Sequence, residues 1–92
     1  MKLLEGKVSI ITGASRGIGK GIARLFAENG SDIAFTYASS DEKARAFENE
    51  LKELGVNAKA YKSNAAEYIA CEELVKNVTA DFGGKIDVVI NN

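Results

Sequence analysis

At 92 residues the chain has room for one small domain, and 46% hydrophobic with 27% charged residues is the mix of a folded globular protein, neither disordered nor membrane-embedded. A formal net charge of −1 provides no electrostatic footing for nucleic acid or an anionic membrane. The single cysteine, Cys71, excludes an internal disulfide and fits a reducing, cytoplasmic setting.

The opening "MKLLEGKVSIITG" breaks its apolar stretch at Glu5, Gly6 and Lys7, unlike a secretory leader, and no apolar run reaches membrane-spanning length. "KVSIIT" (7–12) is short, β-branched and bounded by Gly13, which predicts a buried strand. From Gly17 the residues Ile18, Ile22, Leu25 and Phe26 recur at helical spacing and predict a helix buried on that face, with Gly30 as its stop. "DIAFTY" (32–37) predicts a second strand. "SSDE" (39–42) then matches a capping box, Ser39 being the N-cap and Glu42 lying three residues on. Ala44, Phe47, Leu51 and Leu54 line one face of the helix that follows, closed by Gly55. Its charged run "DEKARAFENELKE" reads as a solvated helix surface. "NAKAYKS" (57–63) predicts a third, partly polar strand. Cys71, Leu74, Val75, Val78 and Phe82 form the stripe of a third helix, ended by Gly83 and Gly84, and "IDVVIN" (86–91) predicts a fourth strand. Neither a linker, a low-complexity segment nor a proline interrupts the series.

Strands alternating with helices imply an α/β fold, a parallel sheet with helices on both faces. Right-handed crossovers set the strand order 3-2-1-4 if the chain reverses direction after the third strand, and the crevice at that reversal lies above the carboxyl ends of strands 1 and 4.

The glycine stretch "GASRGIG" (13–19) falls at that crevice. A diphosphate needs backbone N–H donors and a helix N-terminus aimed at it, with no side chain in the way. Gly13 permits the tight turn out of the strand, while Gly17 and Gly19 let backbone close on a pyrophosphate and let the helix pack down on the sheet. The spacing G-x-x-x-G-x-G differs from the usual G-x-G-x-x-G. It is also no P-loop, which would need glycine at Ala14 and a hydroxyl at Gly21. The competing reading is a glycine-rich turn without a ligand.

"TGASRGIG" after the first strand, "SNAA" after the third and "INN" at the end of the fourth together resemble the short-chain dehydrogenase/reductase family. The resemblance runs from Leu4 to Asn92 and implies a doubly wound, Rossmann-type sheet of which these residues are the amino-terminal part. It implies contacts of Gly13, Ser15, Arg16 and Ile18 with the phosphates and adenosine ribose of a nicotinamide cofactor. Asn64 and Ala65 stand where the family packs against adenine, and Asn92 stands in the motif that borders the nicotinamide-side ribose.

Charge at the end of strand 2 separates NAD from NADP, because a carboxylate there bonds the ribose 2′-hydroxyl and repels a 2′-phosphate. That place falls on Tyr37, which is uncharged, while Arg16, Ser39 and Ser40 are available to a phosphate. Such charge-assisted bonds contribute about 1.5–3 kcal/mol, enough to favour NADP(H). Solvated arginine and a simple helix cap are the competing readings of Arg16 and Ser39, and Asp41 is the nearby acid that could reverse the preference.

The family's catalytic tyrosine is followed four residues on by lysine, whereas Tyr37, Tyr61 and Tyr68 are followed by Asp41, Ala65 and Glu72. With no histidine and no cysteine pair, no metal site is expected, and Cys71 reads as core rather than nucleophile. The expected function is thus the cofactor-binding part of an NADPH-dependent carbonyl reductase. The resemblance implies a 3-oxoacyl thioester on acyl carrier protein as its substrate, and a homo-oligomer as its assembly. The alternative is a nucleotide-binding module without chemistry, against which stands the exposed apolar edge that strand 4 would then present.

Overall fold

The computed structural model describes residues 3–13, 17–38, 40–62 and 68–90, the last segment with side chains from Leu74 onward. Seven elements alternate as expected: β1 (Val8–Ile11), α1 (Gly17–Glu28), β2 (Asp32–Tyr37), α2 (Asp41–Glu53), β3 (Ala58–Lys62), α3 (Tyr68–Asp81) and β4 (Val88–Ile90). The strands form one parallel sheet in the order β3-β2-β1-β4, a doubly wound, Rossmann-type arrangement.

The central strands explain the pattern of their residues. All four residues of β1 are buried, as are five of the six in β2, because both faces of these strands are covered. One face packs Ile11, Ile33, Phe35 and Tyr37 against Ala23 and Ala27 of α1 and Ala44, Phe47 and Leu51 of α2. The other packs Val8, Ile10 and Ala34 against Leu74 and Val78 of α3. Phe35 and Phe47 meet edge to face with ring centroids 5.2 Å apart, and Lys20 and Arg24 of α1 lie over the Phe47 ring. A buried pair of hydroxyls, Ser9 and Ser31, satisfy each other at 2.7 Å.

Three details differ from expectation. On α1 the buried row is Gly19, Ala23 and Ala27, with Ile22 and Phe26 half-buried beside it; Ile18 and Leu25 are 76% and 56% exposed. Only small side chains fit where the helix backbone lies close on the sheet, so the larger residues move to its flanks or outward. The α2 cap is Ser40 rather than Ser39: its backbone is extended and its hydroxyl accepts from the Lys43 N–H, one residue later than the capping-box register. Ser39 itself lies outside the described residues. On α3, Leu74 and Val78 are buried and Phe82 packs at their edge, but Val75 is exposed. Two strand starts also move: β3 begins at Ala58 rather than at 57 and β4 at Val88 rather than at 86, while the expected ends, 63 and 91, lie outside the described residues.

Glu48 is buried on α2 among apolar neighbours. Its Oε2 accepts the Ala60 N–H of β3 at 2.7 Å, and its carboxylate pairs with Arg45 at 3.3 Å and Lys52 at 3.6 Å. The carboxylate thereby occupies a backbone donor on a strand bordered by one neighbour. Among the described residues no helix is long and apolar enough to cross a membrane.

Candidate functional site

The carboxyl ends of the strands meet the start of α1 at the glycine turn. Here β1 is flanked by β2, which follows it in the chain, and by β4, which the chain reaches only after reversing direction. The turn is tied to both neighbours. Thr12 donates its N–H to the Ile90 carbonyl of β4 at 3.0 Å. Gly13, with φ +65°, donates its N–H to Thr36 Oγ1 of β2 at 2.9 Å. Gly17 opens α1 with φ +66°, a backbone state that glycine reaches without strain.

Among the described residues, none crowds Gly17 at that helix start. A Cβ built on Gly17 meets nothing within 4 Å, so a methyl there would fill a cradle rather than clash with the fold. No acidic residue stands in the first turn of α1, whereas α2 carries Asp41 and Glu42 in its own first turn and a serine cap. The partial positive charge at the α2 start is therefore answered from within the chain. At the α1 start the described residues leave it for a ligand anion. Gly19 is buried and keeps this end of the helix down on the sheet, while Ile18 stands exposed at the mouth of the turn.

At the neighbouring end of β2, Tyr37 has its ring in the core and donates its hydroxyl to Asp41 Oδ1 at 2.7 Å. That bond to a carboxylate raises the tyrosine's pKa, and it holds the Asp41 carboxyl below its ordinary range, with Lys62 adding to the effect. Lys62 Nζ lies 3.7 Å from the same Oδ1. Ser40, considered for a phosphate contact, is engaged as the cap of α2.

The described residues thus bring together Gly13, Gly17, Ile18, Gly19 and Tyr37 along the carboxyl edge of the sheet. Ser15, Arg16, Ser39, Asn64, Ala65 and Asn92 lie outside the described residues. Sequence reasoning missed Thr36, whose only signal was a hydroxyl in an otherwise apolar strand, and Lys62, whose only signal was its place at the end of β3. Elsewhere, a cleft of about 330 Å³ lies beside the amino half of β3, lined by Lys52, Asn57, Ala58, Lys59, Asp81 and Phe82. Its cations are spoken for: Lys59 pairs with Asp81 at 3.0 Å and Lys52 with Glu48. Burial, together with the hydroxyl's bond to Asp81, pushes Tyr61 well above the usual phenol range. Among the described residues no group of three or more acidic, cysteine or histidine side chains could hold a metal.

Comparison with known proteins bears on this site. Residues 7–92 match the family described as short chain dehydrogenase. An NADP-dependent mannitol dehydrogenase of Alternaria alternata is 51% identical over 97% of this chain and 34% of its own length. A 2-dehydro-3-deoxy-D-gluconate 5-dehydrogenase of Pseudoalteromonas atlantica is 47% identical over 97% and 35%. A 3-oxoacyl-(acyl-carrier-protein) reductase of Staphylococcus epidermidis is 43% identical over 94% and 35%. Among solved structures, a short chain dehydrogenase from Burkholderia cenocepacia in complex with NADP superposes with TM-score 0.92 at 39% identity, covering 97% of this chain and 36% of that one. The chain spans about a third of the length of the curated relatives it matches.

Proposed function

This chain belongs to the short-chain dehydrogenase family, and from that premise we propose that it is the cofactor-binding, amino-terminal part of one Rossmann domain in a cytoplasmic NADPH-dependent carbonyl reductase. The observation that carries this reading is the glycine turn: an unobstructed, positive-φ Gly17 at an acid-free helix start, at the point where the sheet reverses.

The residues present fit a dinucleotide. Backbone at Gly13 and Gly17 and the first turn of α1 would take the diphosphate, with Ser15, Arg16 and Ile18 beside it. Tyr37 and the region of Ser39 would border the adenosine ribose, Asn64 and Ala65 the adenine, and Asn92 the nicotinamide-side ribose. The cofactor is NADP(H): an uncharged residue ends β2, and NADP occupies the Burkholderia cenocepacia relative. A nicotinamide cofactor, when bound, supplies the hydride. The chain's own part is to bind and orient. Thr36 and Ile90 fix the turn from either side, and the helix start meets phosphate charge without having to rearrange.

The substrate proposed is a 3-oxoacyl thioester on acyl carrier protein, reduced to the 3-hydroxyacyl form in fatty acid synthesis by a homo-oligomer. The Staphylococcus epidermidis relative supports it. The greater identity to the mannitol and gluconate dehydrogenases favours a second reading, a polyol or sugar acid. Initial rates with NADPH on a 3-oxoacyl thioester and on 2-keto sugars, for a protein carrying this chain and its Arg16→Ala variant, test both. The expected result is thioester reduction with NADPH affinity falling about 10–100-fold in the variant and NADH affinity unchanged. Turnover of the sugars alone would refute the acyl substrate, and equal losses for both cofactors would refute a phosphate-reading Arg16.

A further inference from the structure

Asp41 occupies an awkward place for an enzyme that takes NADP(H). It opens α2 four residues past the end of β2, near the place where a carboxylate selects the free ribose 2′-hydroxyl and repels a 2′-phosphate. Its carboxylate is not left as a bare anion. Oδ1 accepts the Tyr37 hydroxyl at 2.7 Å and faces Lys62 Nζ at 3.7 Å. Tyr37 and Lys62 are partners on the last rung of the β2–β3 ladder, so two adjacent strands deliver a donor and a cation to one oxygen. Tyr37 is anchored in the core, which fixes where the carboxylate stands. Arg45, one turn on along α2, also acts on the Asp41 carboxylate, but less than Lys62 does, and it is itself paired with the buried Glu48; Glu42 lies about 100° round the helix from Asp41.

We propose that Lys62 is a specificity-determining residue that favours NADP(H) by neutralising Asp41 in the Tyr37–Asp41–Lys62 cluster. This rests on the NADP(H) reading above. Lys62 works through Asp41 and need not touch the cofactor. Both charges are exposed, so the effect is modest and screened by salt.

Four forms of the protein carrying this chain decide the matter: wild type, Lys62→Gln, Asp41→Asn and the double variant. Each is titrated with NADPH and with NADH at low and at high salt. In the Lys62→Gln variant NADPH affinity falls by about two- to fivefold at low salt, the range of exposed charge pairs, and NADH affinity does not change. In the Asp41→Asn background the same lysine substitution has no effect, because no anion remains to be neutralised. An equal loss in both backgrounds would overturn the proposal in favour of direct phosphate contact by Lys62. No loss, or the same loss for NADH, would also overturn it while leaving the NADP(H) reading intact. A wild type that binds NADH more tightly than NADPH would overturn the reading itself and the proposal with it.

Discussion

Replacing Gly17 with alanine separates two things a glycine can do at a ligand site. At φ +66° an L-residue is strained, and the lower entropy of the unfolded alanine chain offsets that strain only in part, leaving a net penalty of about 1–2 kcal/mol. The unliganded protein should therefore lose about 1–2 kcal/mol, seen as a Tm lower by several degrees. Because the new methyl meets nothing within 4 Å, the protein itself adds no clash to that figure. The ligand does. Saturation at about 100 times Kd stabilises the wild type by roughly 2.7 kcal/mol. If the methyl weakens NADPH about tenfold, the same concentration stabilises the variant by only about 1.4 kcal/mol. The assay is thermal melting of both proteins with and without NADPH, and the expected result is a cofactor-induced shift cut to about half. A lower apo Tm with an undiminished cofactor-induced shift would refute the reasoning, since Gly17 would then serve the turn alone.

Glu48→Ala should destabilise the protein by about 1.5–3 kcal/mol in urea denaturation, the value of a buried hydrogen bond to a charged group, whereas Glu48→Gln, which keeps an acceptor for Ala60, should lose clearly less. Thr36→Val should lower stability by about 1 kcal/mol and weaken NADPH binding, with Thr36→Ser restoring both, because the hydroxyl that accepts from Gly13 is kept. Asp87 accepts the Val8 N–H and pairs with Lys85, and these hold its carboxyl below the ordinary range. A depressed folded pKa stabilises above the unfolded value and the gain is lost as pH falls through the folded one. Stability measured below about pH 4 should thus fall less steeply in Asp87→Asn than in the wild type.

Much of the fold was legible because its signals are local. The β2 limits, Asp32 to Tyr37, coincide with an apolar run, and the buried Ala44, Phe47 and Leu51 follow from spacing alone. What escaped depends on how close elements come in space. Hydropathy favours Ile18 and Leu25 over Gly19 and Ala23, yet the small residues face the sheet because the helix backbone approaches it. Glu48 reads as a surface charge within a charged helix until β3 presents the Ala60 N–H to it. The spacing to Glu42 points to Ser39 as the cap, yet the hydroxyl that accepts a helix N–H is that of Ser40, a choice made by backbone geometry rather than by residue pattern. The glycines could be placed at a cofactor turn from their order. The hydroxyl of Thr36 that steadies them, and the lysine that faces Asp41, come from strands far off in sequence.

The row of Gly19, Ala23 and Ala27 makes α1 a lever. Its buried side is so thin that the helix rests on the sheet nearly backbone to side chain, and its open end carries the amides that would meet a diphosphate. Ala27 lies ten residues from Gly17, about 15 Å along the axis. A bulkier side chain there would tilt the rod about its far end and swing the mouth of the turn. Affinity could therefore be adjusted, up or down, by residues that never come within reach of the ligand, and a screen confined to the glycine loop would overlook the dial.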